Sequence, residues 1–368
     1  MKPIKRREFT PKVSIIIAAY NEERDLGAKL KNTLSLDYPQ SNLEIIVTSD
    51  ASTDRTDEVA QSFASQGVRL HRQLERLGKT SAQNAAVEKS TGEIILFSDA
   101  TTEYQPDVIR LMARCFADPT VGCVTGTVIY NHSSDSSVSH GTRSYWNYEF
   151  FLKQGESDIG SLTGVCGCMY AVRKSAYVPL YPEACSDFVI ATTMVKQGLR
   201  AVYEPAAICV EEPNARANRE LSARIRIMTQ TYSDLWRNRE VLNPFRHGLY
   251  AIQLLSHKVM RYFVPLFLLT LLASTALLAT TSTFYGAVFI LQVCFYLAAA
   301  SSSILVKAGV NSPWLAVPHY FVIANLACLL AFLKLVGGEQ YVKWEPVREP
   351  LALKATPTII DAEGKQQV

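Results

Sequence analysis

Two stretches of the chain are nearly the same. Residues 44–53 read EIIVTSDAST and residues 93–102 read EIILFSDATT. In each, an apolar run of β-type residues ends in Ser-Asp and is followed by small hydroxyl side chains. Ligands of open α/β sheets bind beyond the carboxyl ends of the strands. Two strands that each deliver an aspartate there define one polar site, built on Asp50 and Asp99. A carboxylate pair in such a crevice suits a nucleotide accompanied by a metal ion better than it suits a packed core. Other chemistry-bearing groups stand at similar junctions. Tyr20, Asn21 and Glu22 follow the apolar run 13–19. Lys79 follows Gly78 at the start of a small-residue helix, where amide groups and an ammonium favour a phosphate. Asp187 follows Ser186 at another helix start.

The elements that position these groups can be read from periodicity. VSIIIAA at 13–19 is the continuous apolar run of a strand buried on both faces. The next helix carries Leu26, Leu30 and Leu34 on one face, with Asn21 available as its cap, and Tyr38-Pro39 ends it. Strand 44–48 leads into a helix from about residue 54, capped by Ser52 or Thr53 and stopped by Gly67. A short strand at 68–70, a helix opened by Gly78, strand 93–97, a helix after Pro106 and strand 121–130 complete an alternating pattern. That pattern predicts a doubly wound α/β layer. The second half adds a Gly/Cys-rich strand at 164–172, a helix from Ser186 to near Gly198, and a helix over 218–240. The last carries Leu221, Ile225, Met228, Tyr232 and Leu235 on one stripe, and Arg224, Arg226, Arg237 and Arg239 make it basic.

With 368 residues and a net charge of +3, the chain has room for more than one unit and no global signature of nucleic-acid binding. Between Arg261 and Lys334 the only Lys, Arg, Asp or Glu is Lys307. Three membrane spans are expected, at 262–281, 283–306 and about 314–333. The expected organisation is a basic arm at 1–12, a catalytic α/β domain at 13–240, an amphipathic interface helix at 241–261, a membrane region at 262–336 and a tail at 337–368. The basic arm shows no secretory-signal pattern and reads as cytosolic, either touching anionic lipid or frayed in solvent. Three spans place the tail across the membrane from the catalytic domain, whereas Lys334, Lys343, Arg348 and Lys354 favour the same side. One span is therefore a candidate re-entrant segment. The eight cysteines show neither a CxxC pair nor zinc spacing, so reduced packing cysteines are expected.

At this point the motifs AAYNEE, SDASTD, LGKTSAQNAA, LFSDATT, SDF, ARIRI and SHKVMRYFVP stand in order. Together they make the chain resemble family 2 glycosyltransferases, the inverting GT-A enzymes that include cellulose, chitin and hyaluronan synthases. The resemblance covers about residues 13–261 and is strongest to bacterial membrane-bound members. It implies a GT-A fold and a set of roles. Asp50 would contact the uracil and ribose of a UDP-sugar, with Tyr20, Asn21 and Glu22 at the nucleotide corner and Lys79 near the phosphates. Asp99 matches the first acid of the DxD motif that holds Mg2+ or Mn2+ on the diphosphate; the second acid is replaced by Thr101. Asp187 matches the catalytic base. Arg224 and Arg226 match the Gln-x-x-Arg-Trp element, with Ala223 at the glutamine position and Ile227 at the tryptophan position. Gly164, Cys166 and Gly167 match a segment beside the acceptor. Plainer roles stay open: a helix cap for Asn21 or Asp187, a surface lysine at 79, a charged stripe for the arginines, and close packing for the glycines.

The expected function is that of an inner-membrane, multi-pass glycosyltransferase with a cytoplasmic catalytic domain. It would move a sugar from a UDP-sugar to a polysaccharide or lipid-linked acceptor with formation of a β-linkage, among membrane lipids and polysaccharide-export partners and without nucleic acid. Two alternatives stand beside it. One is single-sugar transfer to polyprenyl phosphate or diacylglycerol, favoured by the eroded arginine motif. The other is a non-catalytic nucleotide-sugar-binding subunit.

Overall fold

The computed structural model describes residues 3–130, 137–211, 217–307, 313–339 and 341–342. Lys343, Arg348, Lys354 and most of the expected tail lie outside them. The strands are β1 (Val13–Ala19), β2 (Leu43–Ser49), β3 (Val68–Arg72), β4 (Ile94–Asp99), β5 (Glu103–Tyr104), β6 (Val121–Tyr130), β7 (Met169–Arg173) and β8 (Arg200–Glu211). The helices of the catalytic domain are α1 (Leu26–Leu34), α2 (Thr56–Ser62), α3 (Lys79–Lys89), α4 (Val108–Ala113), α5 (Ser137–Ile159), α6 (Ser186–Lys196) and α7 (Ala217–Arg237). Beyond it come α8 (Pro244–His247), α9 (Leu249–Leu254), α10 (Met260–Leu278), α11 (Thr283–Lys307) and α12 (Pro313–Val336).

One eight-stranded sheet runs in the order β3-β2-β1-β4-β7-β6-β8-β5. β3, β2, β1 and β4 are parallel; β7 runs antiparallel to both its neighbours. Ile15, Ile16 and Ile17 of the central strand have no exposed surface and feed two cores, one on each face. Full burial of such a side chain stabilises by about 1.5–3 kcal/mol, which is why β1 has no alternation. The register explains the lookalike pair: β2 and β4 flank β1, with Ala19 opposite Ser49 and Ala18 opposite Asp99. Asp50 and Asp99 thus leave the same end of the sheet, one on each side of β1.

Several details differ from the sequence reading. The 164–172 run is not one strand. It approaches as a loop, with a single bridge between Cys166 and Met169, and only Met169–Arg173 joins the sheet. The amphipathic segment does not stop at Arg261. After Gly248, at φ 53°, the chain is helical from Leu249 to Leu278, with a π-turn over Leu255–Val259. The described part of the basic arm is docked rather than frayed: Arg6 Nε lies 2.8 Å from Glu204 Oε2, a carboxylate it shares with Arg114. All eight cysteines are free. Three helical stretches, Leu249–Leu278, Thr283–Ser302 and Val317–Val336, are long and apolar enough to cross a membrane.

Candidate active site

The loop from Leu77 to Lys79 is held from both sides by the two lookalike turns. Asp50 is fully buried, and its carboxylate accepts the backbone N–H groups of Leu77 (2.8 Å) and Gly78 (3.0 Å). Gly78 sits at φ 93°, ψ 162°, a conformation essentially restricted to glycine. Next to it, the Lys79 ammonium pairs with Asp99 and lies 3.4 Å from the Gly167 carbonyl. Burial alone would lower the Lys79 pKa; Asp99 first, with Cys168 and Glu211 adding to it, offsets burial and holds the ammonium above its ordinary range. Asp50 therefore shapes the loop, while Lys79 and Asp99 present its charge. Asp50 is an interior residue that holds backbone, Asp99 is half-open, and Lys79 is not a loose surface lysine.

Asn21 does not cap the helix that follows it. That helix starts at Leu26 with Asp25 at its cap position. Asn21 instead sits at φ 55° and accepts from Thr53 N (2.7 Å) and Asp54 N (3.3 Å) across the crevice, while its own N–H donates to Ser52 Oγ. Glu22 is buried, and its N–H donates to Thr56 Oγ1 at 2.7 Å. The Tyr20 ring lies under the Arg76 guanidinium, 3.7 Å from the ring centroid. Ala51 also has φ 55°, which costs an L-residue with a Cβ roughly 1–2 kcal/mol. Replacing Ala51 by glycine is expected to stabilise the protein by about 1 kcal/mol, read as a higher urea midpoint; an unchanged or lower midpoint refutes strain at this turn.

Asp187 lies in the first turn of α6 and is not its cap, since the cap position is Cys185, which makes no side-chain capping bond. Asp187 Oδ1 accepts from the Cys185 thiol at 2.8 Å, and the carboxylate faces Gly167, where an added Cβ would stand 3.6 Å from Oδ2. Gly167 thus touches Lys79 on one side and Asp187 on the other. Gly164 carries Asp187 and Lys258 on its flank, and Cys166 is buried with its N–H on Thr125 Oγ1.

The two arginines part company. Arg226 feels the charges of Asp187 and Asp99, although burial is the larger effect and pulls its pKa below the ordinary range. Arg224 turns to α12, where its guanidinium bonds the Tyr320 hydroxyl and lies 4.8 Å from that ring's centroid.

Four functional candidates had no signal in the sequence reading. Arg76 is one. Lys29, buried on α1, donates to the Thr102 carbonyl at 2.6 Å, and burial pulls its pKa to about 7. Glu211, at the end of β8, accepts from Thr102 Oγ1 at 2.6 Å; burial and then Asp99 push its carboxyl above the usual range. Asp234 of α7 is buried, accepts from the Tyr181 hydroxyl and takes the Cys185 N–H at 2.8 Å, so it supplies from outside the cap that α6 lacks.

Burial pushes Asp234 up to about 7. Its native form holds a proton that the unfolded chain has released above pH ~4. Stability from this group is complete below the unfolded pKa and is lost as pH rises through about 7. Asp234→Asn is neutral at every pH, so the melting temperature of the wild type relative to this variant should fall between pH 5 and pH 8. A constant difference would mean that Asp234 does not titrate there.

A cation here would rest on few protein ligands. Among the described residues no three His, Cys, Asp or Glu side chains gather as a metal site, and Thr101 stands exposed where a second acid would be. The half-open Asp99 carboxylate, with Glu211 at the end of β8 within reach of its charge, fits a hard cation whose remaining ligands are phosphate oxygens and water.

The fold has counterparts among known proteins. A mannosyltransferase from Pyrobaculum calidifontis, solved in complex with GDP-Man and Mn2+, superposes with a TM-score of 0.68 over 92% of this chain and 91% of that one, at 23% sequence identity. The architecture is that of GT-A transferases. Residues 14–179 match the family described as Glycosyl transferase family 2. An N-acetylglucosaminyltransferase of Rhizobium meliloti is 30% identical over 224 residues, 56% of this chain and 52% of that protein. A poly-beta-1,6-N-acetyl-D-glucosamine synthase of Staphylococcus aureus is 27% identical over 203 residues, 54% of this chain and 49% of that protein. The chain spans about half the length of these curated relatives.

Proposed function

We propose that the protein is a membrane-embedded glycosyltransferase that moves a sugar from a UDP-sugar to a polysaccharide or lipid-linked acceptor with inversion, leaving a β-linkage. The observation that carries this reading is the run Asp99–Lys79–Gly167–Asp187, which sets a charged phosphate-side pair one residue away from a carboxylate open to an acceptor. Asp187 takes the proton of the acceptor hydroxyl as that oxygen attacks the anomeric carbon. The bond from that carbon to the diphosphate breaks on the opposite face. Lys79 and Arg226 face the charge that gathers on the leaving diphosphate. Tyr20, Asn21 and Glu22, with the loop that Asp50 holds, frame the nucleotide end, and Gly164, Cys166 and Gly167 frame the acceptor end. Mg2+ or Mn2+ on Asp99 would supply further neutralisation of the diphosphate.

Single-sugar transfer remains the second reading, because Arg224 is engaged with Tyr320 rather than turned to the crevice. The deciding experiment incubates the purified protein with a panel of radiolabelled nucleotide sugars and membrane lipid, then counts sugars per product molecule. Polymer supports the first reading and one sugar per lipid the second. Absence of both transfer and nucleotide release with every donor rejects both in favour of a binding subunit.

A further inference from the structure

α12 matches α10 and α11 in length and apolarity, and three crossings would carry its end away from the catalytic domain. Its contacts run the other way. Near its start, Tyr320 meets Arg224 of α7. In its middle, the Cys328 carbonyl accepts from the Tyr232 hydroxyl at 3.4 Å, and Cys328 Sγ lies 3.5 Å from Met228 Sδ. Toward its end, the Ala331 carbonyl accepts from Thr229 Oγ1 at 3.4 Å. After the turn at Gly338 (φ 80°), Gln230 Nε2 donates to the Tyr341 carbonyl at 2.9 Å. A Cβ on Gly78 would run into the Val342 carbonyl. α12 also packs on α5.

Residues 320–331 of α12, and the chain just beyond its end, therefore rest on the catalytic domain. The 24 residues of α12 make a rod about 36 Å long, and a bilayer's hydrocarbon core is about 30 Å thick. A third crossing would leave the end of α12 on the far side of that core, whereas Tyr341 and Val342, just past Gly338, lie back on the domain. Helix α7 cannot follow α12 inward, because Arg224, Arg226, Asp234 and Arg237 lie within or next to the stretch that touches α12. The basic residues agree. Lys258 and Arg261 precede the apolar part of α10, Lys307 ends α11 and Lys334 lies near the end of α12, whereas the turn between α10 and α11, residues 279–282, reads ATTS.

We infer that the chain crosses the bilayer twice, through α10 and α11, and that α12 lies in the interface of the leaflet on the catalytic side. Ala327, Cys328 and Ala331 are buried toward the domain. Leu326, Leu333 and Val336 are exposed on the other side of the helix and rest on acyl chains, while Phe321 joins α12 to the α10–α11 hairpin through Phe295. The tail then returns on the catalytic side to the Gly78 loop. This topology goes beyond the proposed reaction and holds whichever sugar is transferred.

The test uses the full chain in phosphatidylcholine/phosphatidylglycerol vesicles, with a tag at each terminus. A protease added outside is expected to remove both tags from the same vesicle population and to spare both in the other. In a Cys294→Ala background, which removes the one exposed cysteine, Thr281→Cys is expected to react with an impermeant maleimide only where the tags are protected. Tags on opposite sides would establish three crossings and overturn the inference. Labelling of Thr281→Cys on the side of the tags would overturn it too, since the hairpin would not cross. A fluorophore on Leu333→Cys should be quenched more by shallow than by deep brominated lipids. Stronger quenching from the bilayer centre would place α12 across the membrane.

Discussion

Asp187→Asn is expected to lower transfer by about a hundredfold or more, the cost of losing a general base, while donor affinity and melting temperature stay close to wild type. The geometry makes the two halves of this expectation separable. Asp187 is not the cap of α6, so the amide removes no capping bond. Its oxygen can still accept from the Cys185 thiol, and its size against Gly167 is unchanged. What asparagine cannot do is take a proton at neutral pH. The proposed reading puts the donor's phosphates on Lys79, Arg226 and the cation that Asp99 would hold, none of which is altered. Turnover per folded molecule, UDP-sugar affinity by calorimetry and thermal melting are the three readouts. Normal turnover would remove Asp187 from the mechanism. Equal loss of affinity and turnover would make it a donor-binding residue instead.

The parts of this site that were legible in the sequence are those fixed by local pattern. VSIIIAA and the twin EII runs demand buried parallel strands, and parallel strands on either side of β1 must deliver Asp50 and Asp99 to one edge. Gly78 before Lys79 marks a helix start, which is where α3 begins. What could not be read depends on partners distant in sequence. Asn21 caps a turn 32 residues away, and a cap residue looks the same whichever N–H it serves. Asp50 is buried because Leu77 and Gly78 come to it, which no spacing announces. The divergence of Arg224 from Arg226 was there to be read, because residues two apart lie about 200° apart around a helix and cannot share one site. Asp234 sits beside Leu235 on a stripe that reads as apolar packing, so its bond to Cys185 was invisible. Hydropathy finds α12 but cannot say whether its other face meets lipid or protein; Arg224, Thr229, Gln230 and Tyr232 supply that answer.

Lys79→Met is expected to have opposite effects on two ligands of the same site. Without nucleotide, the Lys79 ammonium already sits on Asp99, so a divalent cation arriving alone competes with a tethered charge. Removing that charge should tighten Mn2+ binding to the donor-free protein by about tenfold, the size of a modest charge-assisted contact. The same change removes a cation from the diphosphate. Donor affinity should fall roughly 10–100-fold, in line with the ~1.5–3 kcal/mol typical of a hydrogen bond to a charged group, and transfer should fall with it. Asp99→Asn separates the roles from the other side: it should weaken Mn2+ binding with and without donor while leaving Lys79 free for the phosphates. Calorimetry with Mn2+ alone, UDP-sugar alone and both together measures each term. Unchanged Mn2+ affinity in both variants would take the cation off Asp99. Full activity of the wild type in excess EDTA would go further and leave Lys79 and Arg226 as the charges that face the leaving diphosphate.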